Sequence, residues 1–304
     1  MKIHHINCGT MCPASARLVS GEGGLFERAR MVCHCLLIET TGGLVLVDTG
    51  LGTQNVEDPR NLGRGFVRRS APKLDRAETA LAQVERLGYR QSDVRHILPT
   101  HLDLDHVGGL ADFPDAEIHV YRAEHTAAMA ATPSRYGYRP SQWQHGARWS
   151  VYDLEGDSWL GFGAVRSLRG LDAEIALIPL VGHTAGHCAV AVKEREGWLL
   201  HAGDAYFSHR ELDLAQPREP LASGLFNRLR SVDNVTRRDN VARLRQLRRE
   251  HPEIEIFCAH SAREYDRLVA AAGSPATGLF KVRVNPAGSR STNDLPELSG
   301  ASSG

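Results

Sequence analysis

The segment Thr100-His101-Leu102-Asp103-Leu104-Asp105-His106-Val107-Gly108-Gly109 constrains this chain more than any other. Four potential metal ligands, His101, Asp103, Asp105 and His106, fall within six residues, after the strand-like Val94–Thr100 and before a Gly-Gly turn. A helix or strand would spread them over different faces, whereas a strand-end loop can aim several at one centre. Crowding ionisable groups without a cation is costly, so the spacing reads as a metal-binding loop rather than a solvated turn. Three further islands repeat the pattern: Val181-Gly182-His183-Thr184-Ala185-Gly186-His187, Leu199-Leu200-His201-Ala202-Gly203-Asp204-Ala205 and Phe257-Cys258-Ala259-His260-Ser261. Each ends an apolar strand, where α/β proteins build their sites. Any one alone reads as a satisfied structural His or Asp; together they supply ligands for two metals.

The rest of the chain supplies the scaffold. Strands are predicted at Met31–Glu39, Leu44–Asp48, Glu117–Tyr121, Ile175–Val181, Cys188–Lys193, Trp198–His201 and Ile254–Cys258. Helical spacing marks Arg76–Leu87, stopped by Gly88, together with Ala123–Ala131, Thr236–Glu250 and Ala262–Ala272. Residues 55–73 and 133–149 read as long loops or lids, and a loop with Pro217 and Pro220 precedes the helix from Thr236. No repeat or clean linker divides the chain, which implies one domain over 1–284 and a flexible polar tail over 285–304.

Lys and Arg total 36 against 36 Asp and Glu, which disfavours general adhesion to nucleic acid or an anionic membrane. The arginines 228, 230, 237, 238, 243, 245, 248 and 249 are the exception, but Val241, Leu244 and Leu247 form a buried stripe, leaving the arginines as its solvated face. No apolar run approaches the roughly 18 residues of a membrane span, and the start lacks a signal-peptide stretch, so a cytoplasmic location is expected. Six dispersed cysteines read as small buried hydrophobes in a reducing compartment.

On these motifs the chain resembles the metallo-β-lactamase superfamily from about Cys33 to His260. The resemblance implies an α/β fold, the four-layer αββα sandwich. Asp48 matches the family's strand-end Asp, and His101, Asp103, Asp105 and His106 match its HxHxDH motif. His183 matches the third-motif His, Asp204 the metal-bridging Asp, and His260 the last His. By analogy one metal would take His101, Asp103 and His183, the other Asp105, His106 and His260, with Asp204 shared. Asp103 stands where the family usually has His; its harder oxygen favours iron or manganese more, while zinc stays first on family frequency.

The implied chemistry is a hydrolase in which two divalent ions hold a bridging hydroxide for attack on a small ester-like substrate, a lactone favoured. Asp105 would orient the nucleophile or relay a proton. Tyr206 is a candidate oxyanion donor, although lactonases usually place such a Tyr three residues after the bridging Asp, where this chain has Phe207. His187 is expected to orient neighbours or pack in its loop rather than ligate. The long loops look most like the N-acyl-homoserine lactonase branch. The alternatives are a phosphodiesterase or nuclease of the same superfamily and an iron-dependent oxidoreductase. A small-molecule substrate, no membrane and no nucleic-acid partner, and a monomer or homodimer complete the expectation.

Overall fold

Alternation along the strands decides the layers. In Met31–Thr40 (β2) the side chains of Cys33, Cys35 and Leu37 face one way and Leu36 and Ile38 the other, and all five are buried. Gly43–Val47 (β3) divides in the same manner, Leu44 and Leu46 against Val45 and Val47. A strand buried on both faces needs a partner layer on each side.

The computed structural model describes residues 1–130, 137–168 and 173–273; the expected 285–304 tail lies outside the described residues. Two six-stranded sheets stack face to face. The first runs in order Lys2–Met11 (β1), β2, β3, Val94–Leu98 (β4), Glu117–Tyr121 (β5) and Arg148–Tyr152 (β6). Its first three strands are antiparallel and its last four parallel. The second comprises Asp157–Trp159 (β7), Phe162–Ser167 (β8), Ile175–Pro179 (β9), Cys188–Lys193 (β10), Trp198–His201 (β11) and Ile254–Phe257 (β12), ordered β12-β11-β10-β9-β8-β7. Only β11 and β12 are parallel in this sheet.

Three apolar seams follow. Leu36, Ile38, Val45 and Val47 meet Leu177, Val190, Val192 and Phe257 between the sheets. Ala80 and Val84 of the helix Ala80–Arg86 cover the outer face of the first sheet. Val241, Leu244 and Leu247 of the helix Asn234–Glu250 cover the outer face of the second. The result is the expected αββα sandwich. Each parallel pair needs a long crossover, and these crossovers carry part of the site: β3 to β4 runs through 48–93, β4 to β5 through 99–116, and β11 to β12 through 202–253.

The structure departs from the sequence reading in several places. Thr79 caps the first predicted helix from within, its Oγ1 accepting from the Ala82 N–H at 3.2 Å, so Arg76–Glu78 is a separate turn and Leu87 ends half exposed. The segment read as a loop at 55–73 holds the helices Thr53–Glu57 and Arg64–Ser70. β1 and β6 to β8 were not anticipated, and neither was the helix Leu221–Arg230. In that helix Leu221, Leu225 and Leu229 form a stripe four residues apart that faces outward.

Candidate metal centre

All the predicted ligands gather at one edge of the sandwich, at the carboxyl ends of the strands. His101 to His106 follow β4, His183 sits in the β9–β10 turn, Asp204 follows β11 and His260 follows β12. Asp204 lies at the centre with its two oxygens turned apart. Oδ2 faces His183 Nε2 at 3.4 Å and His101 Nε2 at 3.9 Å, while Oδ1 faces His260 Nε2 at 3.1 Å and His106 Nε2 at 3.3 Å. Asp103 Oδ2 completes the first group, 3.6 Å from His183 Nε2 and 3.8 Å from His101 Nε2. Asp105 Oδ2 completes the second, 3.6 Å from His260 Nε2.

The donor set fits two cations. His101 Nε2, His106 Nε2, His183 Nε2 and Asp204 Oδ1 are buried without a hydrogen-bond partner. Buried polar atoms are normally satisfied, so such a group turned toward one another marks a place for ions. Burial opposes charge on Asp204, but His260 and His106 beside it hold its carboxyl far below the usual range. Burial likewise opposes charge on His106, and Asp204 and Asp48 overcome it to raise its pKa. Asp103 moves up, because burial outweighs the help of His183.

Three of the candidate ligands are held from behind. His106 Nδ1 bonds to Asp48 Oδ2 at 2.8 Å, which turns Nε2 inward. Asp48 also accepts from the Thr100 N–H at 2.7 Å and from Thr100 Oγ1 at 3.0 Å. It does so at a φ of 56°, in the left-handed region where a non-glycine residue is strained. His260 Nδ1 donates to the Val32 carbonyl at 2.7 Å, tying that ligand to β2. His187 does not ligate: its Nδ1 donates to the Leu180 carbonyl at 3.0 Å and its Nε2 accepts from the Asp204 N–H at 2.9 Å. Burial pushes its pKa down to about 3, so it remains the neutral acceptor that the Asp204 backbone needs. Such backing groups set ligand orientation and tautomer.

Three placements correct the sequence reading. Tyr206 is fully buried and its hydroxyl donates to Glu264 Oε1 at 3.1 Å within the outer apolar seam. Phe207 lines the cavity instead, because the chain turns there and Tyr206 points the other way. Arg237, which the helical pattern places on a solvated face, is 1% exposed. It donates to the Ala205 carbonyl at 2.8 Å and to Glu219 Oε1 at 2.6 Å, bracing the loop after Asp204. Arg230 also leaves the solvated set and lines the cavity.

Glu124 was missed altogether. Buried in the helix Arg122–Met129, it accepts from the Leu102 N–H and the Gly186 N–H, both at 2.9 Å, and from the Tyr138 hydroxyl at 3.0 Å. One carboxylate therefore joins the first ligand loop, the His183 loop and the segment at 137–139. A lone acidic residue three positions past a strand carries no local signal of this, since its three partners come from distant parts of the sequence.

The chain matches the Metallo-beta-lactamase superfamily over residues 28–260. It is 43% identical over 264 residues to a probable metallo-hydrolase of Mycobacterium tuberculosis, covering 86% of this chain and 80% of that protein. It is 30% identical over 207 residues to an N-acyl homoserine lactonase of Rhizobium radiobacter, covering 64% of this chain and 71% of the relative. Its fold superposes with a TM-score of 0.66 on an N-acyl homoserine lactone hydrolase solved with the product N-hexanoyl-L-homoserine at its catalytic metal centre. That alignment is 23% identical and covers 88% of this chain and 95% of the other.

Proposed function

This chain belongs to the metallo-β-lactamase superfamily as a metal-dependent hydrolase, and from that premise we propose that its substrate is a small carboxylic ester, a lactone ahead of open-chain esters. The observation that carries this reading is the central Asp204, whose separate oxygens address two clusters of imidazole and carboxylate at the floor of one cavity. That cavity, of about 480 Å³, has Met11, Val19, Met31, Phe66, Phe207 and Phe226 on its walls, a lining suited to the apolar part of a small ester. The relatives named as N-acyl homoserine lactonases favour the cyclic form.

His101, Asp103 and His183 would hold one divalent cation and Asp105, His106 and His260 the other, with Asp204 shared. Zinc is proposed first, with iron or manganese favoured by the oxygen of Asp103. When bound, such a pair supplies Lewis acidity that lowers the pKa of water toward neutrality and polarises the substrate carbonyl. The protein's own groups do the positioning. Asp105 lines the cavity beside His260 and is placed to orient the attacking water and pass its proton to the leaving alkoxide. Phe207 stacks on His260 with ring centroids 5.4 Å apart, closing that side to bulk water.

Metal-replete protein should open a pH-reported lactone, and Asp204→Asn should lower kcat/KM by about 10²–10³-fold while reducing bound metal. Equal rates in the two proteins, or no turnover of any lactone or ester, would defeat the assignment. Elemental analysis of protein purified without added metal identifies the cations.

A further inference from the structure

The cavity has a second chemical character that a neutral ester does not use. Arg28, Arg68, Arg69, Arg139 and Arg230 all line it, and among the described residues its only carboxylates are Asp103, Asp105 and Asp204 at the metal floor. Among the described residues, none of these five arginines forms an ion pair with a carboxylate. Some arginines elsewhere do form such pairs: Arg30 with Asp266 at 2.7 Å, Arg122 with Asp153 at 2.6 Å and Arg263 with Glu22 at 2.6 Å. The floor carboxylates would not neutralise these arginines once metal is bound, because two divalent cations more than balance three negative charges.

On one side the arginines come from three separate elements. Arg68 and Arg69 end the helix Arg64–Ser70, Arg230 ends the helix Leu221–Arg230, and Arg139 follows the turn at Gly137. A Cβ on Gly63, the residue before the first of these helices, would sit 3.3 Å from the Arg139 guanidinium, so that guanidinium lies against the helix start. Favourable charge–dipole placement accounts for arginines in the last turn of a helix. It does not account for arginines of three separate elements converging on one apolar-walled cavity. Arg230 is half-buried: burial pushes its pKa down, Asp103 draws it back, and Arg69 and Arg139 press it down again. Like charges gathered in a partly desolvated place are unfavourable until an anion joins them.

Resting on the ester-hydrolase reading of the same site, we propose that the substrate carries a second, anionic group remote from the scissile bond, a carboxylate or a phosphate, which Arg69, Arg139 and Arg230 bind. The apolar walls then cover the chain between the two ends. The match is a half-ester or lactone with an acidic tail, and it separates this cavity from one built for a purely aliphatic tail.

Calorimetric binding to the metal-loaded protein tests this without turnover, with adipate and hexanoate as probes of equal chain length. Adipate should bind at least about tenfold more tightly, the size of a charge-assisted hydrogen-bonded contact. The advantage should shrink toward unity in Arg230→Gln and in Arg69→Gln, and should persist in Arg238→Gln, an exposed arginine on the helix behind the second sheet. Phosphonohexanoate in place of adipate reports which anion is preferred. Equal binding of adipate and hexanoate, or an advantage that survives both cavity variants, overturns the proposal. Kinetics with a neutral aryl ester and the aryl half-ester of a dicarboxylic acid separate the two readings. Turnover of both at equal kcat/KM removes the anion subsite and keeps the hydrolase, whereas turnover of neither, together with tight adipate binding, does the reverse.

Discussion

The floor of the cavity and its outer wall are built by opposite means. At the floor every candidate metal ligand follows a strand end, and His106 and His260 are braced by a buried carboxylate and by backbone. At the wall, short helices and a turn present arginines and aromatic rings to the cavity. The floor tolerates little displacement, because a ligand set works only within narrow geometry. The wall can change its side chains without moving a strand. The candidate ligands are thus placed by the sheets, and the arginines of the wall come mainly from segments inserted between strands.

The contrast can be broken at Glu124, which belongs to both regions: Leu102 and Gly186 are floor backbone, and Tyr138 is wall. Glu124→Ala would leave three buried donors without an acceptor, a loss of about 3 kcal/mol or more. Urea unfolding should show that loss, and chelator competition should show weaker metal binding in the folded protein. If the variant unfolds like the parent and holds metal equally well, floor and wall are independent. Glu124→Gln keeps one acceptor oxygen and should fall between the two.

The same contrast explains what could be read from the sequence. The floor was legible because its residues are dense in chemistry: His101, Asp103, Asp105 and His106 occur in one short loop, and His183, Asp204 and His260 each follow an apolar run. β10 and β11 were legible to the residue, since apolar runs bounded by turns leave little choice. The wall was not legible. Arg64–Ser70 has no buried face, and Leu221–Arg230 turns its leucine stripe to solvent, so neither pattern pointed to a core. Arg237 looked solvated because its burial depends on Ala205 and Glu219, both distant in sequence from the rest of its helix face. Tyr206 was one residue from the useful position, and only the turn after Asp204 decides which of two adjacent rings faces the cavity.

A smaller effect sharpens the comparison from the floor side. Asp48 touches His106 and Thr100 and lies behind the ligands, away from the wall. Asp48→Ala should weaken metal binding by about 10–100-fold, the usual cost of losing a group that orients a ligand. Because the arginines stay in place, the preference for adipate over hexanoate should persist once metal is saturating. A change in that preference would mean that anion binding depends on the orientation of His106, and the two regions would then have to be treated as one.

The smallest effect concerns Tyr206 and Glu264, behind the floor. Burial pushes the Glu264 carboxyl up from 4.5 to about 7, against hydrogen bonds from Cys258 and Tyr206 that favour its ionised form. Between those two values the folded chain holds a proton that the unfolded chain has released, so this group's contribution to stability declines as pH rises from 4.5 through 7. Tyr206→Phe removes one donor to that carboxyl. The loss should be about 1 kcal/mol at pH 5, where Glu264 is neutral, and larger above pH 7, where the missing bond was charge-assisted. Glu264→Gln, neutral at every pH, should flatten this part of the stability profile. Urea unfolding at several pH values reads both, and lactone turnover by Tyr206→Phe reads the placement of the ring. A hydroxyl sealed in the outer seam leaves kcat where it was; a fall of about tenfold or more, the least expected of a group donating to the transition state, would put Tyr206 back among the catalytic residues and the turn after Asp204 in a different conformation during reaction.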